Sequence, residues 1–159
     1  MKPKEKVLIH RGMDKVKQGM YSEAIEIFGQ VLSINPQSTF AWNNRGVALF
    51  KDGRPDEAVH SYNRSLKIDP DNLDALRNKG FVLRSMGLMD EALKCYELVI
   101  KKGGTAGDLE SLATVLVGLN RLDEALDYMT QAVNIQPNEI FEEEIAALKS
   151  MIEQRDQGK

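Results

Sequence analysis

The sequence predicts an all-α fold, a solenoid of four stacked helix pairs followed by a C-terminal capping helix. First, six of the twelve glycines recur at intervals of 34 residues. Second, alanines and large side chains recur in the same phase. Third, no segment shows the alternation of β-branched and polar residues that a half-buried strand needs. Self-similarity at this period is typical of stacked supersecondary units.

Small residues define the repeat. The glycines form two ladders, Gly12, Gly46 and Gly80, then Gly19, Gly53 and Gly87. The alanines Ala24, Ala58, Ala92 and Ala125 form a third ladder, and four residues after them come Phe28, Tyr62, Tyr96 and Met129. Glycines of the first ladder allow two helices to approach closely, while those of the second can adopt positive φ in a turn. The large side chains fill the space between neighbouring helices.

Each repeat contains signals for two helices. The predicted units are residues 5–38, 39–72, 73–105 and 106–139, and a terminal segment covers 140–156. In the second unit, a first helix ends at Gly53 and a second begins near Pro55, whose fixed φ suits a helix start. Glu57 then lies at the positive end of the helix dipole, and Pro70 prevents the second helix from continuing.

The terminal segment predicts an amphipathic helix. Phe141, Ile145, Leu148 and Ile152 fall on one stripe of it. A repeat array needs a terminal element with one apolar and one polar face, because its last unit otherwise exposes a packing surface. Capping is therefore the main interpretation. The same spacing also suits a two-helix seam between chains, which keeps dimerisation as an alternative.

Charge is unevenly spread between the two ends of the chain. Residues 1–20 carry six basic and two acidic residues, net +4, whereas residues 138–159 carry three and six, net −3. Opposite ends of two copies could therefore attract each other in a head-to-tail chain, so a self-assembling homo-oligomer is a second hypothesis. Two solvated termini are the simpler interpretation.

Composition excludes several classes of protein. A 42% apolar and 28% charged chain is rich enough in aliphatic residues to fold. The net charge of −3 provides no general positive field for nucleic acid. The single cysteine, Cys95, excludes a disulfide framework and favours a reducing compartment. Without a long apolar stretch, we expect no membrane span and a cytoplasmic protein.

The second unit carries a recognisable motif. Its residues are Trp42, Arg45, Gly46, Leu49, Gly53, Ala58, Tyr62 and Pro70. This pattern resembles the tetratricopeptide repeat family, and the resemblance covers residues 5–139. It implies antiparallel helix pairs stacked in a right-handed superhelix, with a concave groove that binds peptides or protein partners without catalysis. The chain departs from the pattern at Ala113 and Asn120, where glycines are expected, and at Gly104, where proline is expected.

Candidate binding residues follow from the groove positions that the family usually uses. They are Ile9, Met13, Phe40, Asn43, Asn44, Val47, Phe50, Asp74, Arg77, Asn78, Phe81 and Arg84. Arg77 and Arg84 lie about 10 Å apart along one helix, a spacing that suits the carboxylates of an acidic peptide. Phe50 and Phe81 could receive apolar side chains. The alternative is a solvated surface whose arginines pair with Asp74 and nearby acids.

The sequence offers little for catalysis. His10 and His60 belong to different units, and neither has metal-ligand spacing. The segment from Lys101 to Gly107 lacks the order of a phosphate-binding loop, and we expect a flexible turn. We therefore predict no enzyme activity, cofactor or metal site.

Overall fold

The computed structural model describes residues 3–158, which form nine helices and no strand. The helices are α1 (Pro3–Lys17), α2 (Tyr21–Ile34), α3 (Thr39–Lys51), α4 (Pro55–Ile68), α5 (Leu73–Ser85), α6 (Met89–Lys101), α7 (Ala106–Gly118), α8 (Leu122–Ile135) and α9 (Glu139–Gln157). The all-α prediction is confirmed. The chain divides into two compact units, with the first ending at Val82 and the second beginning at Leu83. No helix in the described range is long and apolar enough to cross a bilayer.

In the first unit, α1 packs against α2, α2 against α3, and α3 against α4. The rings of Phe28 and Tyr62 are almost completely buried. A Cβ atom at Gly12 would lie 2.9 Å from Phe28 Cε1, and one at Gly46 would lie 2.5 Å from Tyr62 Cε1. The first glycine ladder therefore does permit close approach of the paired helices, as its spacing predicts.

Residues with positive φ end the first helix of successive pairs. Gly19, Gly53 and Gly87 have φ between 75° and 79°. After α3, the amide N–H of Arg54 donates to the carbonyl of Leu49 at 2.9 Å, which satisfies a carbonyl at the helix end. This pattern is the Schellman motif, and it fulfils the prediction made for the second glycine ladder.

Asn120 takes the place of a ladder glycine in the turn after α7. It has φ 58° and is the one non-glycine residue with positive φ among the described residues. The N–H of Arg121 donates to the carbonyl of Leu116 at 2.9 Å, as at the glycine-containing turns. Asparagine tolerates the left-handed conformation because its short polar side chain can hydrogen-bond locally. The sequence departure therefore leaves the local geometry unchanged.

Trp42 anchors the start of the second helix pair. Its indole Nε1–H donates to the carbonyl of Pro36 at 2.9 Å. The guanidinium of Arg64, on α4, lies 5.2 Å from the ring centroid in a cation–π contact. The indole thus joins the loop before α3 to α4, within the first unit.

Arg45 lies beside Gly46 on the side of α3 that meets α4. Its Nη1 donates to Ser61 Oγ at 3.3 Å, and Ser61 is fully buried. The Ser61 hydroxyl donates in turn to the carbonyl of Glu57 at 3.1 Å. Partial burial of the guanidinium lowers the pKa of Arg45. These bonds accommodate a charged residue at a helix interface.

In the second unit, α6 packs against α7, α7 against α8, and α8 against α9. The joint before α7 is ordered by a capping box. Asp108 Oδ2 accepts from the N–H of Thr105 at 2.8 Å, and Thr105 Oγ1 accepts from the N–H of Asp108 at 3.4 Å. The glycine-rich segment contains a turn, with Gly103 at φ 90°, and a capping box defines its end. The flexibility expected of this turn stays a prediction.

The apolar stripe of α9 packs on its own chain. Phe141 and Leu148 are buried, at 6% and 5% exposed. Ile145 and Ile152 are half-buried. Near the end of the helix, Arg155 Nη1 lies 2.7 Å from Asp123 Oδ2 at the start of α8. These contacts are those that a capping helix would make.

Candidate functional site

The first unit carries a cleft of about 350 Å³ along the first helices of successive pairs. Its lining residues are Met13, Thr39, Phe40, Asn43, Asn44, Val47, Asn72, Asp74, Arg77 and Asn78. Met13 comes from α1, Val47 from α3 and Arg77 from α5. The asparagines, Asp74 and Arg77 give the cleft polar surface, and Met13, Phe40 and Val47 give it apolar surface.

Most of the binding residues predicted from the sequence lie in this cleft. They are Met13, Phe40, Asn43, Asn44, Val47, Asp74, Arg77 and Asn78. Sequence reasoning missed Thr39 and Asn72, which lie at helix starts. The repeat period contained a signal for Asn72, since it follows the N-cap residue Ser38 by 34 positions. Ser38 Oγ accepts from the N–H of Ala41, and Asn72 Oδ1 accepts from the N–H of Ala75.

The other predicted residues lie elsewhere. Ile9 is only 6% exposed, so it belongs to the core and we remove it from the candidate surface. Phe50 and Phe81 pack edge to face against each other, with ring centroids 5.6 Å apart, rather than standing as two separate apolar sites. Arg84 belongs to the second unit. The cleft of the first unit therefore contains one of the two predicted arginines.

Two asparagines join neighbouring helices inside the cleft. Asn78 Nδ2, on α5, donates to Asn43 Oδ1, on α3, at 3.1 Å. This bond uses one N–H of Asn78 and the oxygen of Asn43. The amide donors of Asn43 and the amide oxygen of Asn78 are then available to an extended backbone, which offers both kinds of group. Asn44 Nδ2 donates to the carbonyl of Phe40 at 2.8 Å, which fixes its side chain along α3.

The cleft contains one charge of each sign. Arg77 Nη1 lies 3.5 Å from Asp74 Oδ1, one turn away on α5. The side chain of Asp74 is 78% exposed and that of Arg77 is 33% exposed. An exposed ion pair of this kind contributes little to stability, because water screens it.

Within residues 3–158, no group of three or more His, Cys, Asp or Glu side chains could hold a metal ion. The only cysteine of the sequence, Cys95, is buried in α6.

Comparison with protein families identifies the repeat. One model of the tetratricopeptide repeat matches residues 39–72, and a second matches residues 6–38, 73–101 and 109–139. These matches cover more than half of the chain, so the protein belongs to the tetratricopeptide repeat family. The resemblance drawn from the motif around Trp42 and Gly46 is confirmed. Proteins of this family are typically non-enzymatic scaffolds for protein–protein interaction.

Solved structures show the same fold. MamA from Desulfovibrio magneticus RS-1, residues 41 to the end, shares 21% identity over 99% of this chain and 90% of that chain, with a TM-score of 0.86. PilF of Pseudomonas aeruginosa shares 20% identity over 96% and 70%, with a TM-score of 0.81. YrrB, described as a TPR protein with an unusual peptide-binding site, shares 24% identity over 82% and 68%, with a TM-score of 0.72. A search of curated proteins finds no match.

Proposed function

We propose that the protein binds an extended peptide, or an extended segment of a partner protein, in the cleft of the first unit. The observation that carries this proposal is the Asn43–Asn78 amide pair, which joins α3 and α5 inside the cleft. Met13, Phe40 and Val47 supply apolar contacts beside the amides, and Arg77 supplies a cation. The combination suits a peptide backbone with an apolar side chain and an acidic side chain.

Binding would work by preorganisation. The amides are already oriented by their hydrogen bonds to each other and to the backbone of α3. The conformational entropy lost on binding therefore comes mainly from the peptide, because the side chains of the cleft lose little freedom. The solved structure of YrrB is described as containing a peptide-binding site, which supports peptide recognition as a use of this fold.

Peptides selected from a random phage-displayed library on the wild-type protein would test the proposal. Their affinities would be measured by fluorescence polarisation on wild type and on the Asn43→Ala, Asn78→Ala double variant. Loss of these hydrogen bonds should weaken binding about tenfold or more. Asn63→Ala makes the same chemical change at an exposed position of α4 and serves as the control.

Circular dichroism would verify that all variants keep their helicity. Selected peptides that bind the double variant as tightly as wild type would refute the cleft as the binding site. Equal losses in the double variant and in Asn63→Ala would refute it as well.

A further inference from the structure

The second unit contains an apolar pocket of about 190 Å³ between α7, α8 and α9. Ala113, Met129 and Leu148 are buried and form its floor. Ala147 and Met151, on α9, are exposed at its rim. An apolar cavity of about 150 Å³ is enough to bind benzene, so this pocket has room for an apolar amino-acid side chain.

The pocket lies between equivalent positions of the repeat. Helix α7 carries the stripe Glu110, Ala113, Thr114 and Val117, of which the last three line the pocket. Helix α9 carries Glu144, Ala147, Leu148 and Met151, all of which line it. Each residue of the second stripe follows its counterpart by 34 positions. Residues spaced i, i+3, i+4 and i+7 share one helical face. Helix α9 thus keeps the phase of the first helix of a repeat, and the two faces bound the pocket.

Met129 gives the pocket an adaptable wall. It stands at the ladder position that holds Phe28 and Tyr62 in the first unit. A ring there would be rigid, whereas the unbranched thioether can change rotamer to fit an inserted side chain. Met129 is 1% exposed, so its methyl group reports on the interior of the pocket.

One carboxylate lines the apolar pocket, and the charge of a second acts on it. Glu144 lines it and is half-buried, and Glu110 lies near enough for its charge to act on Glu144. Burial, and then the charge of Glu110, raise the pKa of Glu144. Neither glutamate forms an ion pair with any cation in residues 3–158. An added cation would relieve this repulsion.

We infer that this pocket receives an apolar side chain from a basic partner segment, with a neighbouring lysine or arginine held by Glu144 and Glu110. The same repeat positions hold Asn43 and Arg77 in the first unit, so the two units differ in the charge they recognise. This inference concerns the second unit alone and does not depend on the function proposed for the first.

Methionine methyl groups allow a direct test. Full-length protein labelled with ¹³C at the methionine methyls would be titrated with an end-capped peptide carrying leucine between two lysines. The signals of Met129 and Met151 should shift, while that of Met13, in the cleft of the first unit, should stay in place. The twin peptide with leucine between two glutamates should leave the signals of Met129 and Met151 unchanged. A shift of Met13 with this acidic peptide would report on the cleft of the first unit and not on the pocket.

Three variants separate charge from shape. Glu144→Gln keeps the shape of the side chain and should weaken binding of the lysine peptide about fivefold. Glu153→Gln removes an equal charge from an exposed position of α9 and should change nothing. Ala147→Phe should fill the pocket mouth and abolish the shifts.

Equal shifts of Met129 and Met151 with both peptides, shifts of these signals that survive Ala147→Phe, or no shift of them with the lysine peptide would each overturn the inference. An unchanged Met13 signal with the lysine peptide does not bear on the function proposed for the cleft, because that function is tested with its own selected peptides.

Discussion

The ring of Tyr62 lies directly on the backbone of Gly46, where a Cβ atom would come within 2.5 Å of the ring. Tyr62 is 1% exposed, and its burial raises the pKa of the phenol. This contact explains why a glycine, rather than merely a small residue, stands at this position of α3.

Replacement of Gly46 by alanine should therefore destabilise the protein. Overpacking of this kind costs about 1–3 kcal/mol, which exceeds the gain in helix propensity. Urea unfolding followed by circular dichroism would measure the loss. Gly29→Ala is the matched control, because a Cβ there meets nothing within 4 Å, and it should be neutral or stabilising. A Gly46→Ala protein as stable as wild type would contradict the packing described for this pair.

Asn120 provides a test of the left-handed turn after α7. Asn120→Ala should lower the free energy of unfolding by about 1 kcal/mol, because alanine disfavours positive φ. Asn120→Gly should keep the stability or raise it, since glycine adopts this conformation freely. Thermal melts of the two variants would show the order. The turn would not require positive φ if alanine and glycine gave equal melting temperatures.

The capping role predicted for α9 can be tested at Phe141. Phe141→Ala removes a ring that is 6% exposed and should cost about 3–5 kcal/mol of stability in the second unit. Ile140→Ala removes an apolar side chain from the neighbouring position, which is 59% exposed, and should cost little. Hydrogen exchange of the α8 and α9 amides would localise the effect. Similar costs for both variants would argue against α9 as a packed cap.

Glu144 should make the stability of the second unit depend on pH. Because its pKa is raised in the folded state, folding favours the protonated form, and stability falls as pH rises from the unfolded pKa through the folded one. Glu144→Gln should therefore melt at a higher temperature than wild type at pH 7. The difference in melting temperature should vanish near pH 3, where the carboxyl is almost completely protonated in the folded and the unfolded state. A Glu144→Gln protein that melts below wild type at pH 7 would reverse the sign of this argument.

Sequence periodicity predicted the elements well because they depend on local requirements. The glycine ladders required positive φ at Gly53 and its equivalents, and close approach at Gly12 and Gly46; the structure shows both. Asn120 departs from the glycine pattern in sequence, yet it adopts the same positive φ. The position in the repeat therefore predicts the backbone conformation of a turn better than the residue type does.

The site was harder to predict. Periodicity indicates which face of a helix a residue lies on, but not how deeply its side chain is buried. Ile9 shares the phase of Asn43 but lies in the core. Phe50 and Phe81 each suit an apolar site, yet they pack against each other. The stripe of the terminal helix predicts a cap or a two-helix seam between chains, and neither interpretation includes the apolar pocket beside Glu144. Its 34-residue correspondence with α7 was visible in the sequence.

Trp42 is the only tryptophan of the chain, and its indole contacts Pro36 and Arg64. Its fluorescence therefore responds to melting of the first unit alone, whereas far-ultraviolet ellipticity averages over all helices. In stacked repeats each element contacts mainly its neighbours, so the two halves can lose structure at different temperatures. Divergence of the two optical signals on heating would show that the first unit melts separately from the rest of the chain.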